Sequence, residues 1–203
     1  MSFYQERILP HVINLAMRKR ELQPYRQRVL ANATGRVLEI GIGSGLNLPL
    51  YPSLSEIVGL EPAPKLITMA RRVAERASLH VELIEGSAES IPLDRHSIDT
   101  VVTTWTLCSI PHVSKALAEM RRVLKPQGQL LFVEHGQAPD ESVRRWQDRL
   151  TPAWKRVGGG CHLNRPIRQL IEGAGFSLLT LETGYMKGPK PMSFMYEGRA
   201  RPE

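Results

Sequence analysis

Short apolar runs alternate with longer amphipathic runs along most of this sequence, and that alternation restricts the fold more than any other feature. Five runs rich in Val, Ile and Leu predict strands: Arg36-Ile40, Glu56-Leu60, His80-Ile84, Ile98-Thr104 and Gln129-Glu134. Strands that are apolar throughout are typical of a parallel sheet covered on both faces. We therefore predict an α/β fold in which a mostly parallel sheet lies between two layers of helices.

Helical periodicity occupies the segments between and after these strands. The predicted helices are Pro64-Ala77, His112-Leu124, Glu141-Arg156 and Arg165-Gly173. Lys125-Pro126-Gln127-Gly128 is predicted to end the second of them. Two late strands, Phe176-Thr183 and Met192-Gly198, are joined by the Gly- and Pro-rich Gly184-Pro191 and bring the sheet to seven strands. We expect the last strand to be antiparallel.

The first 34 residues predict a helical lid ahead of the first strand. Ile8, Val12 and Leu15 share one face at helical spacing and are expected to point inward, while Pro10 and Pro24 interrupt the pattern. At 203 residues the chain fits one domain. Within it we expect the lid at 1–34, a ligand-binding core at 35–135 and substrate-side helices and strands at 136–203.

Composition and charge exclude several classes of protein for this chain. With 42% hydrophobic and 23% charged residues, the chain is that of an ordinary globular protein. It has no run of eighteen apolar residues, and its first ten residues are charged where a signal peptide is apolar, so we expect a cytoplasmic protein without a transmembrane segment. The net charge of +7, partly from a basic segment at residues 1–30, allows peripheral contact with an anionic membrane. No RNA-binding aromatic motif accompanies it, and we expect no nucleic-acid binding.

The cysteine and histidine spacings predict no metal site. Cys108 and Cys161 form no CxxC pair, and neither His112 nor His162 has a metal-ligand spacing to another candidate. We expect both thiols to be reduced and to take no part in catalysis. No residue pattern specifies an oligomeric state.

A glycine-rich turn follows the first predicted strand. Gly41, Gly43 and Gly45 lie in Val37-Leu38-Glu39-Ile40-Gly41-Ile42-Gly43-Ser44-Gly45-Leu46-Asn47. Glycines at such a point let the backbone turn tightly and approach a ligand. The spacing is GxGxG, and Leu46 stands where the dinucleotide pattern GxGxxG has its last glycine, so we expect a nucleotide-like ligand other than NAD.

This turn, with Glu39 before it and Glu61 after it, resembles motif I and the acidic second-strand end of class I S-adenosylmethionine-dependent methyltransferases. Later segments resemble further motifs of that class in the same order: Gly86-Ser87-Ala88-Glu89 with Ile91-Pro92-Leu93, Ser97-Ile98-Asp99-Thr100-Val101-Val102, and Arg122-Val123-Leu124-Lys125-Pro126-Gln127-Gly128. The resemblance implies a Rossmann-like class I methyltransferase fold, S-adenosylmethionine as cofactor and a small-molecule acceptor. It also implies the cofactor-binding residues, which are Glu39, Gly41, Gly43, Gly45, Asn47, Glu61, Pro62, Ser87, Ala88, Glu89, Thr104, Trp105 and Leu107.

Within that set, the resemblance implies that different groups of residues contact different parts of the cofactor. The glycines would line the methionine moiety, and Glu61 would accept hydrogen bonds from the ribose diol. Ser87, Ala88 and Glu89 would flank the adenine, and Thr104, Trp105 and Leu107 would lie beside the sulfonium.

A narrower resemblance covers most of the chain. It is carried by Thr106-Leu107-Cys108-Ser109-Ile110, Glu134-His135, Trp146-Gln147, Pro152-Ala153-Trp154 and Gly160-Cys161-His162-Leu163-Asn164-Arg165, together with Asn47 and Tyr51-Pro52. These segments are similar to the methyltransferase-like 7 family, whose animal members methylate small thiols. This chain departs from them by a charged segment at the position of their apolar membrane anchor, and by Glu89 where the family often has an aspartate.

The resemblance implies methyl transfer to a thiol sulfur, and other acceptors stay open. The motifs also resemble ubiquinone and menaquinone methyltransferases, and the basic segment fits a phospholipid methyltransferase. A non-catalytic module that binds S-adenosylmethionine or RNA is the alternative outside the enzymes. If the reaction uses a general base, His135 at the end of the fifth strand is the candidate, because imidazole titrates near neutrality.

Overall fold

A single sheet of seven strands runs through the protein, in a computed structural model that describes residues 4–53 and 55–203. The strands are β1 (Arg36–Ile40), β2 (Glu56–Glu61), β3 (Val81–Glu85), β4 (Ile98–Thr104), β5 (Leu124–His135), β6 (Phe176–Tyr185) and β7 (Phe194–Pro202). Their order in the sheet is β3-β2-β1-β4-β5-β7-β6. The first five are parallel, and β7 is antiparallel to both of its neighbours. The predicted seven-stranded, mostly parallel sheet is confirmed.

Helices connect the strands and cover the sheet. They are α1 (Leu9–Met17), α2 (Gln23–Leu30), α3 (Pro64–Arg76), α4 (Val113–Val123), α5 (Glu141–Val157), α6 (Ile167–Gly173) and α7 (Lys190–Ser193), with shorter turns at Tyr4–Ile8, Arg20–Leu22 and Leu48–Leu50. Pro10 and Pro24 do not interrupt helices as expected. Each is the second residue of a helix, where proline costs no intrahelical hydrogen bond. None of the helices in the described ranges is long and apolar enough to cross a membrane.

The sheet order reverses between β1 and β4, and this reversal positions the site. From β1 the chain moves outward to β2 and β3, then returns to β4 and continues to β5. The loops after β1 and β4 therefore diverge at the carboxyl ends of two adjacent parallel strands. In open α/β sheets a ligand crevice forms at such a point.

Both faces of the central strands are buried. On one face α4 and α6 pack on the sheet through Leu117, Met120 and Ile171, and on the other face Val29 and Leu30 of α2 pack on Val102 and Leu131. All of these side chains are at most 4% exposed. This two-sided burial is the physical reason why these strands are rich in Val, Ile and Leu on both faces.

The fifth strand begins earlier than predicted. Leu124 already pairs with Ile98, and the pairing register shifts before Thr100 pairs with Gln129. The predicted turn at 125–128 is therefore a bulged part of β5 and not a separate loop. Gly128 lies too close to Asp99 for a larger side chain, because an added Cβ would be 3.0 Å from the Asp99 carbonyl oxygen.

The lid is helical but faces the opposite way from the prediction. Ile8, Val12 and Leu15 point to solvent, and Leu15 is 75% exposed. Leu9 and Pro10 are the buried residues of α1. Six of the nine residues of α1 are apolar, so periodicity alone does not determine its rotation about the helix axis. Residues 1–3 of the predicted lid lie outside the described residues.

Candidate functional site

The three glycines after β1 all have positive φ, which explains why glycine occupies these positions. The φ angles are 66° at Gly41, 57° at Gly43 and 78° at Gly45. A Cβ on Gly41 would lie 2.5 Å from Thr106, and a Cβ on Gly45 would lie 3.0 Å from Ala70. Among residues 4–53 and 55–203, the only neighbour within 4 Å of a Cβ added at Gly43 is a carbonyl oxygen at 3.8 Å. Gly43 is therefore the point of the turn where the backbone faces open space.

Glu61 ends β2 next to this turn and is nearly buried. Its Oε2 accepts a hydrogen bond from the Gly43 N–H at 3.1 Å, and its Oε1 accepts one from the Ala63 N–H at 3.1 Å. Burial raises the pKa of Glu61, and these two hydrogen bonds oppose the rise. Each carboxylate oxygen keeps one acceptor position, since it has two lone pairs.

Glu39 is buried beneath the turn in a network of polar side chains. It accepts hydrogen bonds from Asn47 Nδ2 at 2.7 Å and from the Tyr51 hydroxyl at 2.8 Å. Asn47 Nδ2 also donates to Thr104 Oγ1 at 3.0 Å, and Asn47 Oδ1 accepts from Arg26 at 2.6 Å. The polar atoms of the Asn47 side chain are thus bonded within the protein, and Asn47 connects β1, β4 and α2 below the crevice.

Arg26 is a site residue that the sequence analysis did not identify. Its guanidinium is buried, donates to the Met17 carbonyl oxygen at 3.1 Å and lies 4.8 Å from the centre of the Trp105 ring. Burial lowers the pKa of Arg26, while the nearby Glu39 opposes this shift. Arg26 belongs to a segment rich in surface cations, and nothing in its spacing distinguishes it from them.

Trp105 follows β4 in a strained backbone conformation. Its φ is 51°, in the left-handed region that residues other than glycine rarely adopt. Its N–H is held by the Val133 carbonyl oxygen at 2.8 Å, and Tyr25 packs edge-on against its ring. Strain of this kind persists where the surrounding structure enforces it, and it concentrates at functional sites.

The three residues predicted to lie near the sulfonium are not all found at the crevice. Thr104 and Trp105 lie at the end of β4, above the Asn47 network, whereas Leu107 is fully buried in the core. The loop is held from below by Glu134, whose Oε1 accepts hydrogen bonds from the N–H groups of Thr106 and Leu107 at 3.0 and 3.1 Å. Leu107 thus supports this loop from the core.

The segment predicted to flank the adenine follows β3 at the same edge of the sheet. Ser87 is exposed, Ala88 is buried, and Glu89 is half-buried with Oε1 accepting the His112 N–H at 3.0 Å. Pro62 is exposed directly after Glu61. These residues therefore lie along the crevice beyond the glycine turn, in the direction of β3.

His135 ends β5, as predicted, but its ring does not face open space. Nε2 lies 3.1 Å from Cys161 Sγ, and Nδ1 is buried with no hydrogen-bond partner in the described ranges. Its role as a general base stays a prediction.

The lid lies over the glycine turn. Asn14 on α1 accepts a hydrogen bond from Ser44 Oγ at 2.7 Å, and Lys65 on α3 donates to the Arg7 carbonyl oxygen at 3.2 Å. These contacts join the N-terminal segment to both sides of the crevice. The lid was predicted in the correct place and with the wrong face inward.

The residues at this crevice fit S-adenosylmethionine. Gly43 offers a backbone surface with no side chain in front of it, and Glu61 offers carboxylate oxygens beside it for hydroxyl groups. A ribose diol needs such acceptors, and a charged amino acid tail needs backbone polar groups.

The buried Glu39 gives folding stability a measurable pH dependence. Burial raises its pKa from 4.5 to about 7, against the hydrogen bonds from Tyr51 and Asn47 and the charge of Arg26. Between these two values the native state holds a proton that the unfolded state has released. The contribution of Glu39 to the free energy of unfolding is therefore fully present below its unfolded pKa of 4.5. It is lost as the pH rises to about 7.

A Glu39→Gln variant should lack this dependence. The difference in free energy of unfolding, variant minus wild type, should increase by on the order of 3 kcal/mol from pH 4 to pH 8. Urea unfolding at several pH values measures the difference. Glu75→Gln, an exposed change on α3, should follow the wild-type curve. Parallel curves for Glu39→Gln and the wild type would show that Glu39 titrates normally.

Comparisons with known proteins identify the family of this chain. A family model described as "Methyltransferase domain" matches residues 38–132. Thiol S-methyltransferase TMT1B of Homo sapiens is 33% identical over 204 residues, 96% of this chain and 81% of that protein. Thiol S-methyltransferase TMT1B of Rattus norvegicus is 39% identical over 150 residues, and the match spans 72% of this chain and 62% of the rat protein.

Solved structures show the same fold at low identity. A SAM-dependent methyltransferase from Thermotoga maritima is 20% identical with a TM-score of 0.70, covering 98% of this chain and all of that one. Another from Aquifex aeolicus is 16% identical with a TM-score of 0.68, covering 94% and 97%. The site geometry and the human relative, matched over most of both chains, lead to one assignment: this protein is an S-adenosylmethionine-dependent class I methyltransferase and belongs to the family of the thiol S-methyltransferases TMT1A and TMT1B.

Proposed function

We propose that this protein transfers the methyl group of S-adenosylmethionine to the sulfur of a small, apolar, uncharged thiol. The observation that carries the proposal is the match to human TMT1B, a thiol S-methyltransferase, over 96% of this chain. That match extends through the segments after the cofactor-binding core, where acceptor pockets are built. Quinone precursors and phospholipids are the alternative acceptors.

The acceptor side of the crevice supports an apolar substrate. The loop after α5 meets the loop after β4, because the His162 N–H donates to the Cys108 carbonyl oxygen at 2.9 Å. Leu9 and Ile13 of the lid lie against this loop, and a Cβ on Gly159 would be 3.3 and 3.5 Å from them. These two side chains take the place that Ile8, Val12 and Leu15 were predicted to fill, so the inner face of the lid is still apolar.

The proposed reaction requires little acid–base catalysis by the protein. The cofactor, when bound, supplies an electrophilic methyl group. The new carbon–sulfur bond to the acceptor forms as the methyl–sulfonium bond breaks, and the thiol proton leaves to solvent or to a base. A thiol with a pKa of about 8.5 is already a few per cent thiolate at neutral pH. Trp105, Arg26 and the lid would contribute by positioning the acceptor and excluding water.

A methyl-gain screen by mass spectrometry tests the proposal. Thiols, amines, phenols and quinones are incubated with the protein and S-adenosylmethionine. We expect a small apolar thiol to give a kcat/KM about tenfold or more above that of glutathione, because charged groups pay for desolvation in an apolar pocket. The rate should rise with pH towards the pKa of the thiol, and the matched alcohol should stay unmethylated. Faster methylation of any amine, phenol or quinone than of every thiol would overturn the proposal.

The outer face of the lid supports a membrane location for this reaction. Val12 and Leu15 on α1, and Trp146 and Val157 on α5, are 49% to 75% exposed, and Leu150 continues the row on α5. The turn ahead of α1 contacts the end of α5, since the Tyr4 hydroxyl donates to the Val157 carbonyl oxygen at 2.8 Å. Exposed cations lie on the same segments of the chain: Arg7, Arg18, Lys19, Arg20, Arg145, Arg149, Lys155 and Arg156. Apolar rows bordered by cations are typical of surfaces that bind anionic bilayers.

We therefore expect the protein to sediment with vesicles that contain phosphatidylserine at low salt, and not with phosphatidylcholine vesicles. A Leu15→Gln/Trp146→Gln variant should bind at least about tenfold more weakly, since two buried apolar side chains contribute about 1.5–3 kcal/mol each. Leu179→Gln, a change at an exposed leucine on β6, should bind as the wild type does. Equal binding of both variants, or no binding at all, would contradict this expectation.

A further inference from the structure

Three residues that the sequence keeps far apart meet at the carboxyl edge of the sheet. Cys108 lies in the loop after β4, His135 ends β5, and Cys161 lies in the loop after α5. The two Sγ atoms and one ring nitrogen all lie within 4.8 Å of one another. No short spacing links these residues along the chain, so no metal site was predicted from the sequence. We propose that Cys108, His135 and Cys161 bind a Zn²⁺ ion.

The donor atoms are of the type and separation that zinc requires. Tetrahedral zinc with Zn–S of about 2.3 Å and Zn–N of about 2.0 Å sets its donors roughly 3.5–3.8 Å apart. His135 Nε2 already lies 3.1 Å from Cys161 Sγ. Small side-chain movements would complete the arrangement. Two thiolates and an imidazole favour Zn²⁺ over Mg²⁺ or Ca²⁺, which prefer oxygen donors.

Charge and access also fit a bound cation. Two thiolates balance the charge of one Zn²⁺, so the loaded cluster adds no net charge to a buried position. Arg165 is buried beside the cluster, where it donates to the carbonyl oxygens of Leu107 and Ile110 and so fixes the loop that carries Cys108. Cys108 is buried but Cys161 is only half-buried, which leaves a route for the ion.

The proposed ion would tie together the loops that border the acceptor side. Cys108 is three residues beyond Trp105, and its Sγ lies 3.6 Å from the Trp105 carbonyl oxygen. Three protein ligands leave one coordination position for water or for another thiol. Because Nε2 has no free lone pair when it binds zinc, this inference excludes His135 as the general base through that nitrogen.

Metal analysis of the purified full-length protein tests the inference without any activity assay. After dialysis against Zn²⁺ and removal of free ion, we expect one zinc per chain by mass spectrometry. Cys161→Ser and His135→Gln should each lower zinc affinity at least about tenfold, as loss of a ligand does. His80→Gln, an exposed histidine ahead of β3, is the matched control and should retain the zinc. Equal zinc content in wild type and His135→Gln would overturn the inference.

Two further measurements use only the wild-type protein, so their results do not depend on whether a variant folds. Co²⁺ in place of Zn²⁺ should show the intense visible absorption of a tetrahedral thiolate complex, whereas a weak octahedral spectrum would contradict the inference. Zn²⁺ should also slow alkylation of Cys161 by iodoacetamide, and a chelator should restore it. An unchanged alkylation rate would overturn the assignment of Cys161 as a ligand.

Discussion

A Gly43→Val variant should lose at least about a hundredfold of its affinity for S-adenosylmethionine while keeping its fold. Gly43 has a φ of 57° and faces open space. A branched side chain there would occupy the space in front of the backbone, where the cofactor must approach. Loss of a few kcal/mol of binding free energy corresponds to this fold-change. Calorimetric titration with the cofactor or its demethylated product measures the loss.

The variant also carries a cost in stability that the experiment must separate from the loss of binding. A β-branched residue at positive φ is strained by about 1–3 kcal/mol, which lowers the melting temperature even though no atom is in the way. Circular dichroism at the titration temperature shows whether the variant is folded. Gly184→Val on β6 is the control, because no atom of the described part of the chain lies within 4 Å of an added Cβ there. A folded Gly43→Val protein with wild-type affinity would place the cofactor elsewhere.

The parallel core could be predicted from sequence because burial on both faces leaves a local signal. The bounds of β1 and β4 agree with their predictions, since each strand is a short run rich in Val, Ile or Leu that ends at a turn or loop. The start of β5 could not be predicted in this way. Lys125, Pro126 and Gly128 are turn residues by local preference, and pairing with β4 overrides that preference.

In the short helix α1 of the lid, apolar periodicity does not determine which face is buried. In α1, Leu9 and Ile13 share one helical face, and Val12 shares another with Ile8 and Leu15. Both faces are apolar, so tertiary contacts, such as those with the loop at Gly159 and with Ser44, select the inner one. The unselected apolar face remains exposed, which is the origin of the expected membrane contact.

The glycine turn and the position of Glu61 beside it could be predicted because they follow from local spacing, whereas the residues that support them depend on distant contacts. That they bind the cofactor stays a prediction. Arg26 reaches Asn47 across 21 residues, and Glu134 reaches Thr106 across 28. His135 and Cys161 are 26 residues apart. Only the folded sheet brings such pairs together, so spacing along the chain contains no signal for them.

Replacing Glu61 with Ala should weaken S-adenosylmethionine binding by about tenfold to hundredfold, which corresponds to roughly 1.5–3 kcal/mol for hydrogen bonds to a charged group. The structure adds a second cause to the loss of the ribose acceptor. Glu61 also holds the Gly43 N–H at 3.1 Å, so its removal frees the turn that approaches the cofactor. The affinity measured by calorimetry therefore reports both effects in the Ala variant.

A Glu61→Gln variant separates the two effects. The amide oxygen of Gln can still accept from the Gly43 N–H and hold the turn, but the side chain has lost its charge and one acceptor oxygen. We expect Gln to bind more tightly than Ala and more weakly than the wild type. Glu85→Ala, which changes the residue paired with Glu61 at the end of β3, is the matched control and should leave affinity unchanged. If Ala and Gln both bind like the wild type, Glu61 does not contact the ribose, and if Gln is as weak as Ala, the carboxylate itself makes the contact.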